Sequence, residues 1–148
     1  MAELLNHQLE IFTGRASPSG ATLCISNSSD QQISRISGVI RGPHCSRSRT
    51  LSASFTIGSE LRLPEDSDVT STLITEPCFW TPKLPFLYLL ELHVTWKNGT
   101  TSFWKQSIGL RRWEVLGHNL FQERKRIVLR GICVEDLTSE LLTTATHT

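Results

Sequence analysis

The chain has 148 residues, with 15 basic and 14 acidic side chains and a formal charge of +1. That length suits one domain with a real hydrophobic core, or one domain with a fragment attached. The balanced charge supplies no bulk field that would draw nucleic acid or an anionic membrane, so neither is an expected partner. The first ten residues hold no basic segment followed by an apolar run, and a stretch of about eighteen apolar residues occurs nowhere. No signal peptide or membrane span is therefore visible, and the expected location is cytoplasmic.

In chain order the sequence reads as short strands divided by turn residues, with no helical period held for long. Leu9 and Ile11 mark a strand at residues 7–12, and Leu23 and Ile25 mark another at 21–26. Between them, residues 14–20 hold two glycines, two serines and a proline, which is turn chemistry, as is Asn27-Ser28-Ser29-Asp30 further on. A looser strand at 33–40 is broken by Gly38. Leu51, Ala53, Phe55 and Ile57 alternate with Ser52, Ser54 and Thr56, the pattern of a half-buried strand. A turn at 64–68 and a strand at 69–74 follow.

The most telling segment is Trp80-Thr81-Pro82-Lys83-Leu84-Pro85-Phe86-Leu87-Tyr88. Proline fixes φ near −65° and has no N–H, so this stretch should approach a sheet extended and unpaired. From Phe86 the period is two: Phe86, Tyr88, Leu90, Leu92, Val94 and Trp96 face one way. The other face is apolar at Leu87 and Leu89 and polar at Glu91, His93 and Thr95, as if a covered region gives way to solvent. Lys97-Asn98-Gly99-Thr100 then turns the chain, and Asn-Gly points to a two-residue type I′ loop with residues 101–108 as the returning strand. That loop would set His93 opposite Trp104 and Val94 opposite Phe103. Tyr88, the only tyrosine, sits where sandwiches place a corner tyrosine whose hydroxyl bonds upstream backbone. About seven strands spaced about ten residues apart give the expected fold class: an all-β, immunoglobulin-like β-sandwich. A C-terminal β-hairpin and a short tail complete it. The expected division is 1–116 for the sandwich and 117–148 for the hairpin and tail.

Sites for chemistry are sparse. Cys24, Cys45, Cys78 and Cys133 are scattered, without the close Cys and His spacing of a zinc site, and read as reduced thiols. His44 and Cys45 are adjacent, so in an extended chain they point to opposite faces rather than forming a couple. Asn27-Ser28-Ser29 and Asn98-Gly99-Thr100 fit the glycosylation pattern, yet Asn98 already has a turn to explain it. Arg124-Lys125-Arg126, with Arg111-Arg112 and Arg130 nearby, reads as a solvated face rather than a nucleic-acid site. No Gly-x-Ser-x-Gly, phosphate-binding glycine loop or His-Glu-x-x-His is present, and neither a cofactor nor a metal is expected. Four tryptophans raise sugar stacking as an alternative. Trp80 belongs to the proline motif and Trp96 shares an apolar face, which leaves Trp104 and Trp113 as the exposed stacking candidates.

Trp80-Thr81-Pro82, Pro85-Phe86-Leu87-Tyr88, the following hairpin and Ile108-Gly109-Leu110-Arg111 together resemble the immunoglobulin-like domain of glycoside hydrolase family two. That group holds β-galactosidases, β-glucuronidases and β-mannosidases. The resemblance continues through Trp113-Glu114-Val115, Leu120-Phe121 and Ile127-Val128-Leu129-Arg130-Gly131, which look like the hairpin that leads to the family's catalytic barrel. It makes Trp80, Pro82, Pro85, Tyr88, Gly109 and Arg111 structural residues and implies neighbouring domains of a parent hydrolase as partners. Two positions depart from the pattern. Leu110 replaces the usual Phe, and Glu123-Arg124-Lys125 replaces Asn-Gly-Lys, so the tight turn of the downstream hairpin should give way to a different loop. The resemblance implies catalytic glutamates on a barrel beyond this chain. Glu135-Asp136, the acidic pair near its end, lacks the enclosing frame that would split two carboxyl pKa values. No catalytic residue is assigned, and the expected role is that of a noncatalytic structural or linker domain. Carbohydrate binding through exposed tryptophans is the alternative. Leu137, Leu141 and Leu142 suit one short helix in the tail.

Overall fold

The computed structural model describes residues 9–58 and 69–130. The turn expected at 64–68, Cys133, the Glu135-Asp136 pair and the tail helix lie outside the described residues. The chain forms two compact units, Met1–Trp113 and Glu114–Thr148.

Among its described residues the first unit carries seven strands: β1 Leu9–Ser17, β2 Gly20–Asn27, β3 Ile33–His44, β4 Ala53–Ile57, β5 Val69–Thr75, β6 Leu87–Trp96 and β7 Thr101–Ile108. They form two antiparallel sheets, ordered β1-β2-β5 and β4-β3-β6-β7. Period-two patterning dictates which face each sheet buries. Ala21, Leu23, Ile25 and Ile74 turn inward from one sheet, and Ile40, Leu90, Leu92 and Val94 from the other, all at 1% exposure or less in one apolar cluster. The fold is thus the all-β, immunoglobulin-like sandwich that the strand pattern implies. Each sheet hides one apolar face against the other, because neither can shield that face alone. The side chain of Thr72 on β5 donates to the Thr56 carbonyl of β4 at 3.0 Å, tying the sheets at one edge.

Two strands run further than the sequence suggests. The turn expected over residues 14–20 shrinks to Pro18-Ser19, because β1 continues to Ser17 across a register shift between Thr13 and Ala16 that absorbs the flexible residues as a bulge. Gly38 does not break β3; the strand runs through it to His44, paired on both sides.

The β6–β7 hairpin differs in a way that matters more. Trp96 N–H donates to the Thr100 carbonyl at 2.9 Å and Gly99 N–H to the Trp96 carbonyl at 3.0 Å, leaving Lys97, Asn98 and Gly99 as a three-residue loop. Gly99, with φ at 85°, is the only loop residue in the left-handed region, which marks a type I turn followed by a bulge rather than a type I′ turn. The Asn98 side-chain oxygen is occupied locally, accepting from Thr100 N–H at 2.9 Å and Thr100 Oγ1 at 2.7 Å. One extra loop residue shifts the register by one. His93 pairs with Phe103 and Leu92 with Trp104, not His93 with Trp104. In a strand a single-residue slip exchanges faces, and Trp104 therefore turns into the core.

The next three strands, which apart from Trp113 at the boundary belong to the second unit, form a sheet ordered β8-β9-β10, with β8 Trp113–Leu116, β9 Asn119–Gln122 and β10 Lys125–Ile127. Gln122 pairs with Lys125, so Glu123 and Arg124 are the whole loop, with φ of 51° and 62°. This overturns the expectation of a different loop: the tight two-residue turn forms without Asn-Gly, because sheet pairing forces both residues into the left-handed region. For L-residues that conformation costs about 1–2 kcal/mol each. Arg124→Gly is accordingly expected to stabilise this hairpin by about 1 kcal/mol. Hydrogen exchange of the β9 and β10 amides would slow several-fold, and unchanged exchange would refute the strain. The Arg124-Lys125-Arg126 side chains are exposed.

Candidate functional site

The proline segment is a brace. Trp80 N–H donates to the Leu110 carbonyl at 2.7 Å, Thr81 N–H to the Leu84 carbonyl at 3.0 Å and Phe86 N–H to the same carbonyl at 2.9 Å. Leu84 N–H returns a bond to Thr81 Oγ1 at 3.1 Å, so Thr81, Leu84 and Phe86 are tied to one another locally before the β6 ladder starts. A Cβ at Gly109 would lie 2.9 Å from Trp80 Cβ, so only glycine lets residues 108–111 pass this close to the indole. The Arg111 guanidinium sits 4.5 Å from the Trp80 ring centroid in a cation–π contact. Tyr88, 1% exposed, accepts a 2.9 Å hydrogen bond from Cys78 N–H ten residues upstream. Burial pushes its phenol above the ordinary range. Arg112, which the sequence placed among solvated cations, is buried with its guanidinium 5.8 Å from the Phe79 ring. No sequence signal marks that burial, since arginine is exposed in most settings.

The outer face of the β4-β3-β6-β7 sheet divides into a charged half and an apolar end. Glu91 of β6 is hydrogen-bonded to Arg41 of β3 and to Lys105 of β7, whose Nζ is 2.8 Å away. Lys105 first and Arg41 second hold its carboxyl below the usual glutamate range. Such a group stays ionised and has no proton to give near neutral pH. His93 and Phe103 pack with ring centroids 4.9 Å apart beyond it.

At the opposite end of β6 the same face opens into a groove of about 860 Å³. Leu87, Leu89 and Ser107 line it from the sheet, Pro85 from the brace, Pro43 from the end of β3 and Leu51 from the segment that follows that strand. Leu51 is 93% exposed and Leu87 39%. The sequence showed the Leu87 and Leu89 end of the strand as apolar. It did not show that residues 43–51 fold over it as a wall, because a loop path leaves no periodic signal. The Arg47 guanidinium donates to the carbonyls of Pro82 and Lys83 at 3.2 and 3.4 Å, which ties that wall to the brace.

The tryptophans separate clearly. Trp96 is buried with its Nε1–H donating to Ser102 Oγ at 3.1 Å. Trp104, expected at the surface, is 5% exposed and belongs to the core, which corrects the exposure read from the two-residue loop. Trp113 is 44% exposed. Among the described residues no group of three or more His, Cys, Asp and Glu side chains is placed to hold a metal ion, and no helix is long and apolar enough to cross a membrane.

No family model matches the chain. A β-galactosidase of Halalkalibacterium halodurans is 31% identical over 75 residues, which is 50% of this chain and 7% of that protein. Among solved structures, Bacteroides uniformis β-glucuronidase 2 covalently bound to cyclophellitol-6-carboxylate aziridine matches 94% of this chain and 18% of its own, at 23% identity and a TM-score of 0.51. A crystal structure of Bacteroides uniformis β-glucuronidase covers 93% of this chain and 18% of its own, at 22% identity and a TM-score of 0.50. The chain thus spans less than a fifth of the length of these proteins. The solved structures share its fold, and the galactosidase is similar to it in sequence over half of this chain. With the Trp80–Arg111 packing, these likenesses identify a domain related to the immunoglobulin-like sandwich of glycoside hydrolase family two.

Proposed function

We propose that the chain is a noncatalytic accessory β-sandwich of a family-two-like glycoside hydrolase, or of a protein descended from one, and that it works by packing against neighbouring domains. The observation that carries this reading is the apolar groove at the braced end of β6. It presents Leu51 and Leu87 to solvent where a free-standing sandwich would be expected to place polar side chains. On this reading residues 1–116 act as the scaffold and 117–148 as the lead-in to a barrel. The free thiols of Cys24, Cys45 and Cys78 suit a reducing, cytoplasmic setting. Retaining glycosidases need two carboxyl groups about 5 Å apart, one of them with a raised pKa. Glu91, clamped between two cations, is the opposite kind of carboxylate.

A second reading, carbohydrate binding, rests on Trp113, since an exposed indole can stack on the apolar face of a pyranose. Tryptophan fluorescence titrated with galactosides, glucuronides and mannosides separates the two. The packing reading expects no shift at millimolar sugar. A saturable shift that Trp113→Ala abolishes would replace it with the carbohydrate reading.

A further inference from the structure

The groove is lopsided in charge as well as apolar. Among the described residues its lining includes Arg49 and His44, both exposed, and no carboxylate. Lys83, also exposed, stands on the brace that supplies Pro85. The one carboxylate on the adjoining sheet face, Glu91, is already held by Arg41 and Lys105. Arg49 has no ion pair among the described residues. The walls are also fixed before any partner arrives, because Arg47 bridges the loop to the Pro82 and Lys83 carbonyls. A preformed groove with an apolar floor and a cationic rim discriminates by charge: a carboxylate at the rim gains a partner, and a cation there meets like charge.

We infer that this groove takes an acidic, apolar segment of a partner polypeptide, with aliphatic or aromatic side chains over Leu87 and Leu89 and a flanking carboxylate on Arg49. The inference rests on the packing role proposed above and names the chemistry of the surface that packs. The apolar floor supplies most of the attraction. Arg49, on the solvated rim, supplies selectivity and a salt dependence.

Fluorescence anisotropy with three fluorescein-labelled hexapeptides tests it. The first alternates glutamate with leucine and phenylalanine, the second carries lysine in place of glutamate, and the third carries serine in place of the leucine and phenylalanine. The acidic, apolar peptide is expected to bind saturably, and the other two at least about tenfold more weakly, a difference of about 1.4 kcal/mol. Arg49→Glu should invert the preference between the acidic and basic peptides, and Leu87→Ser should weaken both. Arg49 and Leu87 are exposed, so neither change empties the core, and an unchanged thermal melt verifies that the fold persists. Equal binding of the acidic and basic peptides, or an acidic peptide indifferent to Arg49→Glu, overturns the inference while leaving the apolar packing reading in place. If no peptide binds and Leu51→Ser with Leu87→Ser also leaves the binding of an apolar dye unchanged, both fall.

Discussion

Trp104→Ala is expected to remove about 3–5 kcal/mol of stability, the range for deleting a buried aromatic side chain. That is a large part of what holds a domain of this size together, and the urea midpoint would fall accordingly. The size of the effect follows from the hairpin. With Lys97, Asn98 and Gly99 as a three-residue loop, Trp104 pairs with Leu92 and enters the cluster that both sheets share. Trp113→Ala, at a position 44% exposed, should cost clearly less. The two variants together read the register without a structure. If the hairpin had the two-residue loop, Trp104 would lie on the outer face beside His93, and the two replacements would cost about the same. Comparable midpoints would therefore refute the register.

Gly38→Ala is expected to cost about 3 kcal/mol, the upper end for forcing extra atoms into a packed region. A Cβ at Gly38 would lie 2.2 Å from the Glu91 carbonyl oxygen and 2.9 Å from Leu92 Cδ2. The first of these is backbone of the neighbouring strand, so no side-chain rotation relieves it. β3 would have to move away from β6 at the centre of the four-stranded sheet, where Gly38 pairs with both Ile57 and Leu92. A variant that melts with the parent chain would mean that the two strands are not this close.

The strands were legible because their signal is local. Leu23 and Ile25, Phe55 and Ile57, and the run from Tyr88 to Trp96 alternate as strands with one buried face must, and the structure buries those faces. The loops were not, and the two hairpins show why in opposite directions. Asn98-Gly99 carries the preferred residues for a two-residue turn, yet the Asn98 oxygen is taken up by Thr100 and only Gly99 goes left-handed. Glu123-Arg124 lacks those residues, yet pairing of Gln122 with Lys125 imposes the tight turn. Turn propensities are worth about a kcal/mol, and burial of an indole outweighs them. The groove was half legible. Its floor lies on a strand and showed in the alternation, whereas the wall from Pro43 to Leu51 depends on a loop path set by tertiary contacts such as Arg47 to Pro82. The burial of Arg112 had no sequence signal, since arginine is an exposed residue in most settings.

The proposed packing role makes the apolar groove at the braced end of β6 the working surface of this sandwich. Fluorescence of an anilinonaphthalene sulfonate dye, compared between the parent chain and a Leu51→Ser, Leu87→Ser double variant, tests it most directly. Enhanced emission is expected with the parent chain, and loss of most of it in the double variant, with the thermal melt unchanged. A dye-silent, strictly monomeric parent chain, or emission that the two substitutions leave intact, would contradict it.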